Sequence, residues 1–325
     1  MKALKYSDVV LIPNYSECES RSNCDTSTLI GGKKFKLPII PANMKSVVGA
    51  NQCKWLSEND YFYIMHRFDL DIERFVDNAN RESWKTVSIS LGVKNEDKAT
   101  VLKFRASGAR VDFITIDIAH GYSKLMCEML RFIRKNLGDE VCIIAGNVCT
   151  PDAVVALSSW GADYVKLGIG QGSPCTTKDK TGFTLPMFTT VKKSSNCYQS
   201  HEDFTVSKRI PVIADGGVCC NGDIAKALTA GADLVMAGGL FACCSDSPSH
   251  SIEIDGVLHK AYYGSASFEN KKTNTHIEGM LKNVPSCGMN LKTKLIEIEE
   301  DLKSSISYGG GSDLSVFKDV KYAEV

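Results

Sequence analysis

Three stretches of this 325-residue chain repeat one short message: SGARVDFITI (107–116), WGADYVKLG (160–168) and AGADLVMAG (230–238). Each ends a helix at glycine and passes through aspartate into a strand. A strand–helix unit of this kind cannot bury its apolar face alone, and eight such units close into a barrel. Eight short β-rich runs are present, at 38–42, 61–66, 87–92, 113–119, 141–148, 164–169, 211–217 and 234–239. None is long enough for a buried helix, and most end in Gly, Asp, Asn or His. Helix-length segments lie between them, among them 49–59, 71–81, 123–136 and 150–160, where Thr150-Pro151 reads as an N-cap followed by proline at the first helical position. The expected fold is α/β, a (β/α)₈ TIM barrel forming a single domain over residues 1–325. Its C-terminal tail is expected to be flexible from about 309, after the glycines of YGGGS (308–312).

Two segments break the rhythm, 170–200 and 241–290. Both follow the carboxyl ends of strands, the sixth and the eighth, where barrels place their chemistry, and long ordered loops there are usually functional. Composition narrows the partners. Lysine plus arginine and aspartate plus glutamate balance at 38 each, so no global field draws in nucleic acid or a membrane. An anionic ligand must therefore be held locally. The 13 cysteines, including the adjacent pairs Cys219-Cys220 and Cys243-Cys244, form no C-x-x-C knuckles and read as mostly buried free thiols. With no leader-like or membrane-length apolar run, a reducing cytoplasmic location is expected.

The sharpest motif is KLGIGQGSPCTTK (166–178). Gly168, Gly170 and Gly172 let the backbone turn tightly beside a ligand or ion, and Cys175 sits in a polar loop where a thiolate would be a strong nucleophile. Asp215-Gly216-Gly217 and Gly238-Gly239 end the seventh and eighth strands, where barrels place phosphate on bare backbone N–H groups, with Asp215 suited to ribose hydroxyls. Asp117, Asn147, Ala42-Asn43-Met44 and His66-Arg67 end other strands on the same face. His66 and His120 read as hydrogen-bonded rim histidines. Lys166, inside the sixth strand, reads as a salt-bridged interior lysine, with a Schiff-base lysine as the alternative.

These residues sit in a longer set of matching pieces: YSDVVLIP (6–13), SRS (20–22), PIIPANM (38–44), MHR (65–67), IDIAHG (116–121), AGN (145–147), the cysteine loop 168–177, IADGG (213–217), YGSAS (263–267), IEG (277–279) and SSISY (304–308). Together they resemble the family that GMP reductase shares with IMP dehydrogenase, most closely its shorter bacterial-type reductases. The cysteine loop is the most specific piece. Gln171, Pro174, Thr275 and Ala266 depart from the usual wording.

The resemblance implies reduction of GMP by NADPH to IMP and ammonia, with Cys175 bonded to the purine in a thioimidate and Thr177 and Glu278 moving protons for the departing amine. It implies GMP on Asp215, Gly216, Gly217, Gly238, Gly239, Gly264, Ser265, Ala266 and Gly279. It implies NADPH on Arg67, Asp117, Ile118, Ala119, Ile169 and Gly170, with Ser20, Arg21, Ser304, Ser305, Ile306 and Ser307 contributed across a subunit boundary of a homotetramer. A potassium ion would sit on the carbonyls of Gly170, Gly172 and Cys175. IMP dehydrogenase is the nearest rival, but its water-activating arginine has no counterpart, since no arginine follows Arg209, and the 66–87 link is too short for a regulatory insert. A lyase and a non-catalytic nucleotide-binding barrel are the remaining classes.

Overall fold

The repeated phrase, a helix-ending glycine followed by an aspartate before the next strand, folds into a repeated latch. In the computed structural model, which describes residues 2–199, 208–272 and 275–325, Gly108, Gly161 and Gly231 all take positive φ as their helices end. The aspartate that follows each then reaches back to the preceding strand. Asp112 Oδ2 accepts from the Val87 N–H at 2.7 Å, Asp163 Oδ2 from Ile143 at 2.7 Å, and Asp233 Oδ2 from Val212 at 2.8 Å. Each carboxylate also meets a cation, namely Lys33, Arg134 and Arg209 respectively. A charge-assisted bond of this kind contributes roughly 1.5–3 kcal/mol, and here it also fixes which strands are neighbours.

Seven parallel strands result: β1 (Ile39–Pro41), β2 (Ser88–Leu91), β3 (Phe113–Asp117), β4 (Cys142–Val148), β5 (Tyr164–Leu167), β6 (Val212–Asp215) and β7 (Leu234–Ala237). Their order across the sheet is β1-β7-β6-β5-β4-β3-β2. The sheet curls strongly enough that Asn43, just past the edge strand β1, donates to Asp117 Oδ2 at the end of β3 at 3.0 Å. Side chains alternate across it. Ile40, Phe113, Ile144, Ile213, Leu234 and Met236 fill the concave side, while Ile39, Ile114, Ile143, Val212 and Val235 join the larger core under the helices.

The expected second strand, 61–66, differs. Its side chains alternate as a strand's would, Phe62 and Ile64 inward and Tyr63 and Met65 outward. Its backbone, however, makes only the bridge of Met65 to Ile89 on β2, with bonds of 3.1 and 2.9 Å to Ser88 and Ser90. Among the described residues no ladder joins it to β1.

The helices start as their caps dictate. Asp71, Ser123 and Thr150 accept from the N–H groups of Arg74, Met126 and Ala153, opening Ile72–Arg81, Lys124–Leu137 and Pro151–Ser159. Among the described residues no helix is long and apolar enough to cross a membrane.

Both interruptions carry structure. The first holds helices Thr177–Thr181 and Met187–Ser194, and its last residue, Ser200, lies outside the described residues. The second holds an antiparallel sheet of Ser251–Ile254, Val257–Tyr262 and Lys282–Pro285. The tail from 309 is packed, contrary to the expectation of flexibility. Phe317 and Val320 are buried in the main core, and Lys321–Glu324 pairs antiparallel with Val9–Ile12. Its glycines serve close approach, since a Cβ on Gly309 or Gly311 would lie 2.9 Å from the Val316 side chain.

Candidate active site

The carboxyl ends of the strands converge on one polar cluster. Lys166 on β5, with 3% of its side chain exposed, reaches Asp117 Oδ1 at 2.9 Å and Asp215 Oδ2 at 2.6 Å. Asn147 on β4 donates to the same Asp215 oxygen at 2.9 Å and to the Gly168 carbonyl at 2.7 Å. Burial alone would favour a neutral amine, but the two carboxylates outweigh it and hold Lys166 above the ordinary lysine range. Burial likewise opposes ionisation of Asp117, and the Lys166 charge overcomes it, so this carboxyl lies below its usual range. A lysine kept cationic is no nucleophile. The two carboxylate partners favour the salt-bridged reading of Lys166 over the Schiff-base alternative.

Beyond β5 the chain turns at Gly168, whose φ of +129° and ideal Cβ position, 2.1 Å from the Asp215 carbonyl, exclude any larger residue. The loop then presents Cys175, half-buried, with Sγ 3.2 Å from Thr177 Oγ1. The Thr177 hydroxyl donates to Glu278 Oε2 at 2.7 Å. With that proton committed, the hydroxyl oxygen is free to accept from the thiol. A continuous path therefore leads from Sγ to a carboxylate.

Glu278 arrives there by backbone pairing of the two long loops. Cys175 and Gly279 form an antiparallel bridge, with Thr176 N–H on the Glu278 carbonyl and Met280 N–H on the Pro174 carbonyl, both at 2.9 Å. Glu278 N–H in turn donates to Ala266 at 3.0 Å, and Lys180 Nζ to the Ile277 carbonyl. Gly279 is needed for this fit, because a Cβ would lie 3.0 Å from the Ser267 nitrogen.

A cleft of about 570 Å³ opens over these groups, within the size range of small-molecule sites. Cys175, Thr177, Glu278, Asp117, Asp215, Gly216, Gly238, Gly264, Ser265, Ala266 and Gly279 border it, as do Arg67, Ile118, Ala119, Ile169, Gly170 and Gly172. Arg67 Nε and Asn147 Oδ1 are buried there without a partner among the described residues. Unsatisfied polar atoms on a cleft wall are what a polar ligand would complete.

The glycine pairs need correction. The Gly216 N–H donates to the Met236 carbonyl at 3.3 Å and the Gly217 N–H to Gln171 at 3.1 Å, so neither amide is bare. Gly217 and Gly239 do not border the cleft. Gly239 opens the short helix Gly239–Ala242, which leaves its N–H without an intrahelical acceptor.

Ser20, Arg21 and Ser304–Ser307 also lie off the cleft and form their own cluster. Arg21 Nη1 donates to Ser304 Oγ at 3.3 Å, its guanidinium lies over the Tyr308 ring at 5.3 Å, and Ser305 Oγ donates to the Asp301 carbonyl. Ile306 is fully buried in the main core, because it faces inward on the last helix, Leu291–Gly309. Its side chain cannot touch a ligand, which corrects that expectation.

For the ion site, the Gly170 and Cys175 carbonyls accept no hydrogen bond among the described residues, and the Gly172 carbonyl accepts one from Cys175 N–H at 2.9 Å. An all-carbonyl set fits a hard cation. Thr275 is exposed, as is His120, whereas His66 is buried and its Nδ1 accepts from the Phe68 N–H.

Tyr262 escaped the sequence reading. It is buried on the cleft wall, and its hydroxyl lies 2.1 Å from where a Gly238 Cβ would stand. Asn270 did too, with Nδ2 on the Gly264 carbonyl at 3.0 Å and Oδ1 buried without a partner among the described residues. Only the fold of the 241–290 segment brings either one in, so no local motif marks them.

Residues 3–324 match the family model described as IMP dehydrogenase / GMP reductase domain. The chain is 44% identical over 324 residues to the GMP reductase of Acidovorax ebreus (strain TPSY), covering 99% of this chain and 96% of that relative. It is 45% identical to that of Leptothrix cholodnii over 324 residues, with the same 99% and 96% coverage. It is 43% identical to that of Staphylococcus carnosus (strain TM300) over 325 residues, covering 100% and 97%.

Proposed function

The chain belongs to the IMP dehydrogenase / GMP reductase family, and from that premise we propose that it is an NADPH-dependent oxidoreductase converting GMP to IMP and ammonia. The observation that carries the reading is the unbroken contact from Cys175 through Thr177 to Glu278.

The Cys175 proton passes through the Thr177 hydroxyl to the Glu278 carboxylate, leaving a thiolate that attacks C2 of the guanine ring. Glu278, now an acid, returns a proton through Thr177 to the exocyclic nitrogen, and ammonia departs. A neutral amine needs such help to leave. The purine stays bonded to Sγ as a thioimidate, an electrophile at C2. NADPH, when bound, supplies the hydride that C2 accepts. The carbon–sulfur bond then breaks, and IMP leaves.

Asp215, paired with Lys166, accepts from the ribose hydroxyls, and Tyr262 with Gly238 faces the phosphate. Arg67, Asp117, Ile118, Ala119, Ile169 and Gly170 line the cofactor side, and the buried Arg67 Nε supports that assignment. Ser20, Arg21, Ser304, Ser305 and Ser307 stand apart from the cleft of their own chain, which supports their serving a neighbouring copy in a homotetramer. Potassium on the carbonyls of Gly170, Gly172 and Cys175 would add positive field near the thiolate. In this reading segment 61–66 completes an eight-stranded barrel within one catalytic domain, and the enzyme works in the cytoplasm.

Spectrophotometry tests the proposal. Reduced-nicotinamide absorbance should fall with GMP and NADPH and stay unchanged with IMP and NAD. The opposite pattern would assign the dehydrogenase reaction. Its water-activating arginine would have to come from outside residues 241–290, where none occurs.

A further inference from the structure

A second reactive thiol arrangement lies away from the cleft. Cys18 and Cys24 flank the short turn Arg21–Asn23, and their sulfurs stand 3.6 Å apart. Asn23 and Cys24 N–H groups donate back to Ser20 and Arg21 at 3.0 Å, which folds the turn and brings its two ends together. Cys24 is buried in the main core, and the Asp25 N–H that follows it is tied to the Ser312 carbonyl at 2.8 Å. That end is anchored. Residues 13–18 belong to no helix or strand, and Cys18 is only partly buried, its Sγ held by one weak bond to the Ser20 carbonyl at 3.3 Å, so this is the sulfur that moves. A disulfide needs a closing movement of roughly 1.5 Å to reach its bond length of about 2.0 Å.

We propose that Cys18 and Cys24 form a reversible redox dithiol, a modification site for oxidants of the peroxide class. Cys18, the accessible sulfur, attacks a peroxide oxygen as its thiolate, giving a sulfenic acid and releasing one water or alcohol once protonated. The Cys24 sulfur then attacks the Cys18 sulfur, loses its proton and expels the hydroxyl as a second water. Two thiols are oxidised by two electrons and one peroxide is reduced. Burial, with the Cys18 contact next, pushes the Cys24 thiol up to about 11, so Cys24 is not the sulfur that meets peroxide first. The bond would cross-link the turn that presents Arg21 to Ser304 and Tyr308.

Trypsin makes the test direct, because it cuts after Arg21, between the two cysteines. The full-length protein is treated with a stoichiometric amount of hydrogen peroxide, alkylated, digested and analysed by mass spectrometry. The expected result is a linked pair of peptides, one carrying Cys18 and one Cys24, that separates with dithiothreitol and is absent from Cys18→Ser and Cys24→Ser. Turnover of both reduced variants should stay within twofold of the parent. Separate, alkylatable Cys18 and Cys24 peptides after treatment that oxidises Cys175 would overturn the proposal, as would Cys18 linked mainly to another cysteine.

Discussion

The Thr177 hydroxyl donates to Glu278 across 101 residues of sequence, at 2.7 Å, while its oxygen stands 3.2 Å from Cys175. One small side chain thus joins the product of one long loop to the product of the other. Neither loop alone contains both a nucleophile and a proton acceptor in reach of it.

Replacing Cys175 with serine should lower turnover by ~10³-fold or more while GMP still binds, because a hydroxyl is a far weaker nucleophile near neutral pH. Steady-state rates with calorimetric binding check this. Turnover near the parental rate would rule out a covalent role for the sulfur.

Glu278→Gln keeps an acceptor for Thr177 but removes the base. The account expects ammonia release to slow by roughly 10²-fold or more, the ordinary worth of general acid–base help, with a smaller effect on hydride transfer. Single-turnover kinetics with deuterated NADPH separates the two steps. A larger isotope-sensitive defect in the hydride step would place Glu278 elsewhere in the mechanism.

Lys166→Met should leave two part-buried carboxylates facing one another without their cation. Breaking a fully buried pair costs about 3–5 kcal/mol, which is the ceiling for this one. The pH dependence follows from Asp117, whose folded value lies below its usual 3.8. Its stabilising contribution is fully present above that usual value and is lost as pH falls through the folded one. Without Lys166 that folded value rises, so acid unfolding should begin at higher pH in the variant. Circular dichroism across an acid titration reads the midpoint, and an unchanged midpoint would count against the network.

His66 gives a second acid signature. Burial first, and the Lys45 charge next, lower it from 6.5 to about 4. The unfolded chain therefore takes up the proton before the folded one does. Stability should fall as pH drops from about 6.5 to about 4, by ~3 kcal/mol, and level off below. His66→Gln should flatten that window in urea unfolding curves.

Much of this arrangement was legible in the residues. The helix-ending glycine with its following aspartate announced the strand–helix repeat, and Asp112, Asp163 and Asp233 turn out to be its hydrogen-bonded latches. The glycines around Cys175 announced a tightly turning loop, and Gly168 takes a positive φ with no room for a side chain. What failed depended on contacts distant in sequence. The 309–311 glycines looked like a linker because the Tyr15 carbonyl, which leaves no room for a Cβ on Gly310, comes from the other end of the chain. The amides of Gly216 and Gly217 looked bare because Met236 and Gln171, which accept from them, come from other elements. Segment 61–66 has a strand's alternation, but whether its backbone joins a ladder depends on both neighbours.

The central claim is a bond between the Cys175 sulfur and the purine, and quenched-reaction mass spectrometry addresses it most directly. Enzyme mixed with GMP, denatured in acid and digested should yield the Cys175 peptide heavier by the nucleotide less ammonia, and the adduct should vanish when NADPH is added before the quench. An unmodified Cys175 peptide at every time, from enzyme that turns over normally, would contradict the account.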